Sequence, residues 1–162
     1  KSLNISSPKE TGKTFVANAK LKAKYFSKFT NLPVISDDSG LCIKALKGKP
    51  GIYSARYAKK YGNFHKAMKF ILRKMENKKN RSAFFVCSLS FVCREKKIIT
   101  VSGKIKGSIS KKIKGVNGFG YDPIFIPNSK SITFGQMLKK KKIMLDHRYI
   151  AFKKLKKKAN FL

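Results

Sequence analysis

The sequence predicts a single α/β domain spanning residues 1–162, and three observations predict it. Two stretches repeat apolar residues at helical spacing: Phe15, Ala19, Ala23 and Phe26 in one, Phe64, Met68, Ile71, Leu72 and Met75 in the other. Short apolar runs at 32–35, 83–92 and 98–105, bounded by turn residues and charges, read as strands. A length of 162 residues with 42% hydrophobic content supports one core.

Taken in order, the chain begins with a loop at 6–12 containing Pro8, after which Thr14 caps a helix predicted to reach about Phe29. Asn18 and Lys22 stand four apart on one edge of that helix, so an amide and an ammonium can face one ligand together. Residues 32–35 are predicted as a short buried strand that ends in Ser36-Asp37-Asp38-Ser39-Gly40, with a second apolar segment at 41–46. Lys49-Pro50-Gly51 is a turn, and Arg56 follows between Tyr53 and Tyr57, suited to clamping a phosphate or stacking on a ring. The second helix buries its apolar stripe and leaves His65 exposed. Residues 83–92 and 98–105 form a hairpin across the charged segment 94–97, and Gly103 and Gly107 punctuate its outgoing strand. A glycine-rich loop at 116–123 carries Phe119, Tyr121 and Asp122, and strand resumes at 124–126. Beyond the basic run 139–142, Asp146-His147-Arg148 opens a last helix with Ala151, Phe152 and Leu155 inward.

The formal net charge of +32 makes a polyanion the first partner class to weigh. Lysines occur on every predicted element, however, whereas a nucleic-acid footprint concentrates on one face, so specific nucleic-acid binding is not expected. Cys42, Cys87 and Cys93 show no paired spacing for zinc or redox chemistry, and their odd number argues for a reducing, cytoplasmic setting. No apolar run approaches the roughly 20 residues that span a bilayer, and no signal peptide is visible.

Against this excess of cations the acids stand out. Only seven Asp and Glu face thirty-nine Lys and Arg, and two of the seven are adjacent, Asp37 and Asp38. Neighbouring carboxylates repel, and a hard divalent cation with oxygen ligands at roughly 2.0 to 2.1 Å relieves the repulsion. Ser39 adds a hydroxyl, and Gly40 a backbone that can approach a phosphate oxygen.

Taken together, the motifs resemble one family. Glu10-Thr11-Gly12-Lys13-Thr14-Phe15, Asn18-Ala19, Lys22-Ala23, Asp37-Asp38-Ser39-Gly40-Leu41, Pro50-Gly51-Ile52-Tyr53-Ser54-Ala55-Arg56-Tyr57, Gly118-Phe119-Gly120-Tyr121-Asp122-Pro123-Ile124-Phe125 and His147-Arg148 occur in the order and approximate spacing of the inosine/xanthosine triphosphate pyrophosphatases. The resemblance implies a Mg²⁺-dependent enzyme that cleaves ITP, dITP and XTP between the α and β phosphates, giving the monophosphate and pyrophosphate. It also implies a homodimer, and a fold with an elongated mixed β-sheet flanked by helices, in two lobes around a central cleft.

Position by position, the resemblance makes Asp38 the proton acceptor and a metal ligand, with Glu10 as the second acid on the metal. Ser39 matches a substrate contact, Phe119, Gly120, Tyr121 and Asp122 line the nucleotide, and Lys142, His147 and Arg148 match its remaining contacts; Asn18, Lys22, Asp37 and Arg56 are further candidates. Chemistry supports the acids independently: attack on a phosphoryl centre needs charge neutralised and a water oriented, work for a carboxylate-held cation and a carboxylate base. Phe119 offers a face for a purine to stack on. Arg148 would favour the oxygen that inosine and xanthosine carry at position six over the amino group of adenine.

The sequence departs from the family in several places. The family's opening strand and phosphate loop are absent before Lys1, Ala17 and Gln136 stand where acids are common, and Asp146 stands for a serine. The rival reading is a catalytically impaired fragment, or a basic nucleic-acid-binding protein on the same scaffold.

Overall fold

The computed structural model describes residues 5–93 and 97–159. Four strands form one sheet: β1 (Val34–Ile43), β2 (Ser82–Val92), β3 (Ile98–Ile109) and β4 (Phe125–Pro127), in that spatial order. The α/β class holds, and every pairing among the described strands is antiparallel, whereas the resemblance implies a mixed sheet. The β2–β3 hairpin forms as its alternation predicts, with residues 94–96 of its connection outside the described residues.

β1 corrects the sequence reading. Its ten residues run straight through the acid-rich stretch, pairing Asp37 with Leu89, Asp38 with Ser88 and Ser39 with Cys87. The expected buried strand at 32–35 is instead an exposed approach, with Leu32 68% and Ile35 51% accessible. Five polar or small residues in a row resemble a turn, but here a full ladder to β2 satisfies their backbone.

Successive strand residues face opposite sides of a sheet, and each side takes its own helix. α1 (Phe15–Phe26) begins at Thr14, whose hydroxyl accepts the Ala17 N–H at 3.1 Å. It buries Asn18, Ala19 and Ala23 toward the face that carries Ser36 and Asp38, and Ser36 Oγ donates to the Ala19 carbonyl at 2.6 Å. α5 (His147–Ala159) lies on the other face, where Ala151 and Leu155 pack on Cys87, Leu89, Phe91 and Val101. Phe152, expected inward, is 51% exposed, because the period that buries positions 151 and 155 leaves 152 on the flank. β3 passes directly beneath this helix at Gly103, where a Cβ would collide with the His147 carbonyl and the Ala151 amide.

The larger core lies toward the other end of the sheet. α2 (Ser54–Lys60) and α3 (Phe64–Lys74) cover Leu41, Ile43, Phe85 and Ile109 there, joined by Phe125 and Phe134. Asn63 caps α3, which buries Met68 and Ile71 as its stripe predicts, and Ala67 beside them. α4 (Lys139–Ile143) is the expected basic run. The three cysteines are free, and burial pushes the Cys42 and Cys87 thiols up to about 11. Among the described residues no helix is long and apolar enough to cross a membrane.

Candidate active site

Asp38 is 6% exposed at the middle of β1. Its Oδ2 accepts from Asn18 Nδ2 at 3.2 Å and its Oδ1 from Lys22 Nζ at 3.5 Å. The same ammonium donates to Glu10 Oε1 at 2.5 Å, while Arg56 Nη2 lies 3.5 Å from Glu10 Oε2. The predicted spacing of Asn18 and Lys22 thus brings both to one carboxylate. Asn18 is fixed from behind, since its Oδ1 accepts the Gly12 N–H at 2.8 Å, and Arg56 is fixed by the Ile52 carbonyl at 3.1 Å and the Tyr53 ring at 4.5 Å. Burial raises the Asp38 carboxyl above its ordinary 3.8, against the donors Asn18 and Lys22 and with a further push from the Glu10 charge.

The adjacent aspartates do not form the paired cation site that their adjacency suggested. Asp37 accepts from Ser39 Oγ at 2.7 Å and pairs with Arg148 at 3.4 Å, on the α5 side of the sheet, so strand alternation gives the two carboxylates different partners. The acid that shares a cation with Asp38 is Glu10.

At the other end stands the glycine-rich loop. Phe119 is 68% exposed, and its N–H donates to Asp122 Oδ2 at 2.6 Å. Gly118 (φ +82°) and Gly120 (φ +67°) adopt the left-handed backbone that this tight turn requires. Phe64 meets Phe119 and Tyr121 edge-on, with centroids 5.1 and 5.2 Å away, and Tyr121 Oη donates to the Ser54 carbonyl at 2.9 Å. Behind the loop, Lys142 Nζ binds Asp122 at 2.6 Å and lies 4.0 Å from Asp146, which also accepts the Tyr149 N–H at 2.9 Å. Burial raises the Asp122 carboxyl, opposed by Lys142 and the Phe119 amide.

His147 is buried and stacks on Phe85, centroids 4.8 Å apart and planes 10° from parallel. Burial, then the charges of Arg148 and Lys142, push its pKa down to about 3, so the ring is neutral at physiological pH. Its Nε2 lies 3.4 Å from Arg148 Nη1, and a guanidinium only donates, which leaves the proton on Nδ1. That nitrogen is buried with no hydrogen-bond partner among the described residues.

A cleft of about 270 Å³ joins the two ends. Its lining includes Glu10, Lys22, Asp37, Asp38, Ser39 and Gly40 together with Phe119, Gly120, Tyr121, Asp122, His147 and Arg148. Asn18, Arg56 and Lys142 stand behind this lining, and the Lys142 ammonium is directed at Asp122 and Asp146. Ser54, Phe64 and Phe85 also line the cleft, although their sequence context marks only helix starts and core. A second groove, of about 530 Å³, adjoins it along β1 and shares Lys22, Asp37 and Arg148. Among the described residues no three His, Cys, Asp or Glu cluster as a metal cage. Glu10 and Asp38, which share the Lys22 ammonium, offer two carboxylates, a set that fits a Mg²⁺ keeping several waters.

These features define a class: an α/β protein with a cleft that holds carboxylates and ammonium groups at one end and an exposed ring over glycines at the other. The chain belongs to the Ham1 family, whose profile matches residues 1–158. It is 40% identical over 156 residues to a dITP/XTP pyrophosphatase of Caulobacter vibrioides, covering 95% of this chain and 80% of that protein. It is 44% identical over 153 residues to a dITP/XTP pyrophosphatase of Dictyoglomus thermophilum, covering 92% and 74%. The solved structure of the Staphylococcus aureus Ham1 protein superposes with a TM-score of 0.89 at 38% identity, over 97% of this chain and 81% of that one.

Proposed function

We propose that this chain hydrolyses non-standard purine nucleoside triphosphates, ITP, dITP and XTP, to the monophosphate and pyrophosphate. The observation that carries the reading is the single cleft in which Glu10 and Asp38 face Phe119, from segments far apart in the chain. The relatives named above, dITP/XTP pyrophosphatases at 40% and 44% identity, support the same chemistry.

Asp38 is the proton acceptor. A carboxyl raised by burial binds a proton more readily than an ordinary aspartate, which suits a base that takes the proton of the attacking water. As the water oxygen bonds to the α-phosphorus, the bond to the bridging oxygen breaks and pyrophosphate leaves with that electron pair. Asn18 orients Asp38 through Oδ2 and leaves Oδ1 toward the cleft. Glu10 and Asp38 would hold a Mg²⁺, which supplies charge neutralisation at the phosphoryl oxygens. Lys22 and Arg148 add positive charge along the cleft, and Ser39 is a substrate contact beside Asp37.

Phe119 stacks on the purine, a contact worth roughly 1–3 kcal/mol per base. Arg148 is a donor only, so an oxygen at position six is matched while the amino group of adenine sets a donor against a donor. The protein is expected to act in the cytoplasm as a homodimer, clearing deaminated nucleotides.

Pyrophosphate release from ITP, XTP and ATP with Mg²⁺ tests this. Rapid release from ITP and XTP, with ATP at least about 100-fold slower, is the expected result. Equal, metal-independent rates for all three overturn it.

A further inference from the structure

Every carboxylate oxygen of Glu10 and Asp38 already has a donor aimed at it. Asn18 serves Asp38 Oδ2, Arg56 serves Glu10 Oε2, and Lys22 alone serves both remaining oxygens, Asp38 Oδ1 and Glu10 Oε1. A divalent cation bound by both acids must take the position that the Lys22 ammonium holds.

The three donors differ in their freedom to leave. Asn18 is held by the Gly12 amide, and Arg56 by the Ile52 carbonyl and the Tyr53 ring. Lys22 makes no other hydrogen bond among the described residues, and its long stem lies where the 270 Å³ cleft meets the 530 Å³ groove along β1. It has room to turn on either side.

From this arrangement we infer that Lys22 is an exchangeable counter-ion: a divalent cation entering between Glu10 and Asp38 displaces its ammonium, which turns to a phosphate of the substrate. The inference rests on the proposed cation site. Its consequence is a coupling between two ligands. Without an anion to receive the ammonium, the cation must evict it toward solvent and binds weakly; with a pyrophosphate group present, the lysine passes from one anion to another and the cation binds tightly. The coupling is reciprocal, so the cation strengthens anion binding by the same factor.

Mn²⁺ titrated calorimetrically into the nucleotide-free protein, with and without inorganic pyrophosphate, is the test. Lys22→Met is expected to bind Mn²⁺ about tenfold tighter than the unaltered chain in the absence of pyrophosphate, and Lys22→Arg to bind it as weakly as the unaltered chain. Added pyrophosphate should tighten Mn²⁺ binding in the unaltered chain by more than in Lys22→Met. Thermal melts identify any misfolded variant, and Lys22→Gln then takes the place of Lys22→Met. Equal or weaker Mn²⁺ affinity in folded Lys22→Met, or in Lys22→Gln where it stands in, overturns the exchange alone. No Mn²⁺ binding in any of the proteins, with or without pyrophosphate, overturns the cation site and the exchange with it.

Discussion

Lys22 and Lys142 each stand between two acids, Glu10 and Asp38 in one case, Asp122 and Asp146 in the other. Around Lys142 both acids are tied to the main chain, Asp122 by the Phe119 amide and Asp146 by the Tyr149 amide at the start of α5. Around Lys22 the donors are side chains, and Glu10 is 27% exposed. Main-chain anchors make the first cluster a clasp that fixes the Phe119 loop against α5. Side-chain anchors leave the second free to trade partners. Each cluster sets one lysine between two acids, so the difference lies in what holds the acids.

The sharpest break in the comparison is Asp38→Asn. It should lower kcat/KM by roughly 10³-fold, in the range of a lost general base, while leaving the melting temperature within about 3 °C because no core volume is removed. Unchanged turnover would move the base elsewhere. Asp122→Ala should instead show first as lost stability. Removing one partner of a buried pair costs about 3 kcal/mol, a loss of about 6–12 °C in a chain of this size. Lys142→Met placed on top should deepen that loss, since the buried Asp146 is then left without its cation; a double variant more stable than Asp122→Ala would show that Lys142 does not serve Asp146.

The smallest effect sharpens the electrostatics of the clasp. His147 titrates near 3 in the folded chain against 6.5 for an ordinary histidine, so between those values the unfolded chain binds a proton that the folded chain refuses. Stability contributed here is full above 6.5 and declines as the pH falls toward 3. His147→Phe keeps the stack on Phe85 and has no proton to bind. Its melting temperature should therefore rise relative to the unaltered chain as pH is lowered from 7 to 5. A constant difference across that range would mean that the ring is protonated in the fold.

Much of this was legible in the residues, and the omissions have physical causes. α1, α3 and the β2–β3 hairpin follow from apolar period, and α1 also from Thr14 as its cap, because these elements bury one face in the ordinary way. β1 was misread because it crosses the cleft, where its side chains meet Asn18 and Lys22 on one face and Arg148 on the other, so no apolar alternation marks it. Glu10, Asp38 and Phe119 were identified by motif and do share a cavity. Asp146 looked like an incidental helix start, and only the fold brings it to Lys142. Phe64 and Phe85 were read as core, since no sequence signal separates a ring that lines a cleft from one that fills an interior.

Gly103 extends the reach of the cleft to a strand that contributes nothing to its lining. A methyl group there meets the main chain of α5 at His147 and Ala151, so it would lift the helix that carries His147 and Arg148. A mutational screen confined to the cavity walls would miss this position. Yet even the mildest replacement at 103 can set how wide the door stands for a base.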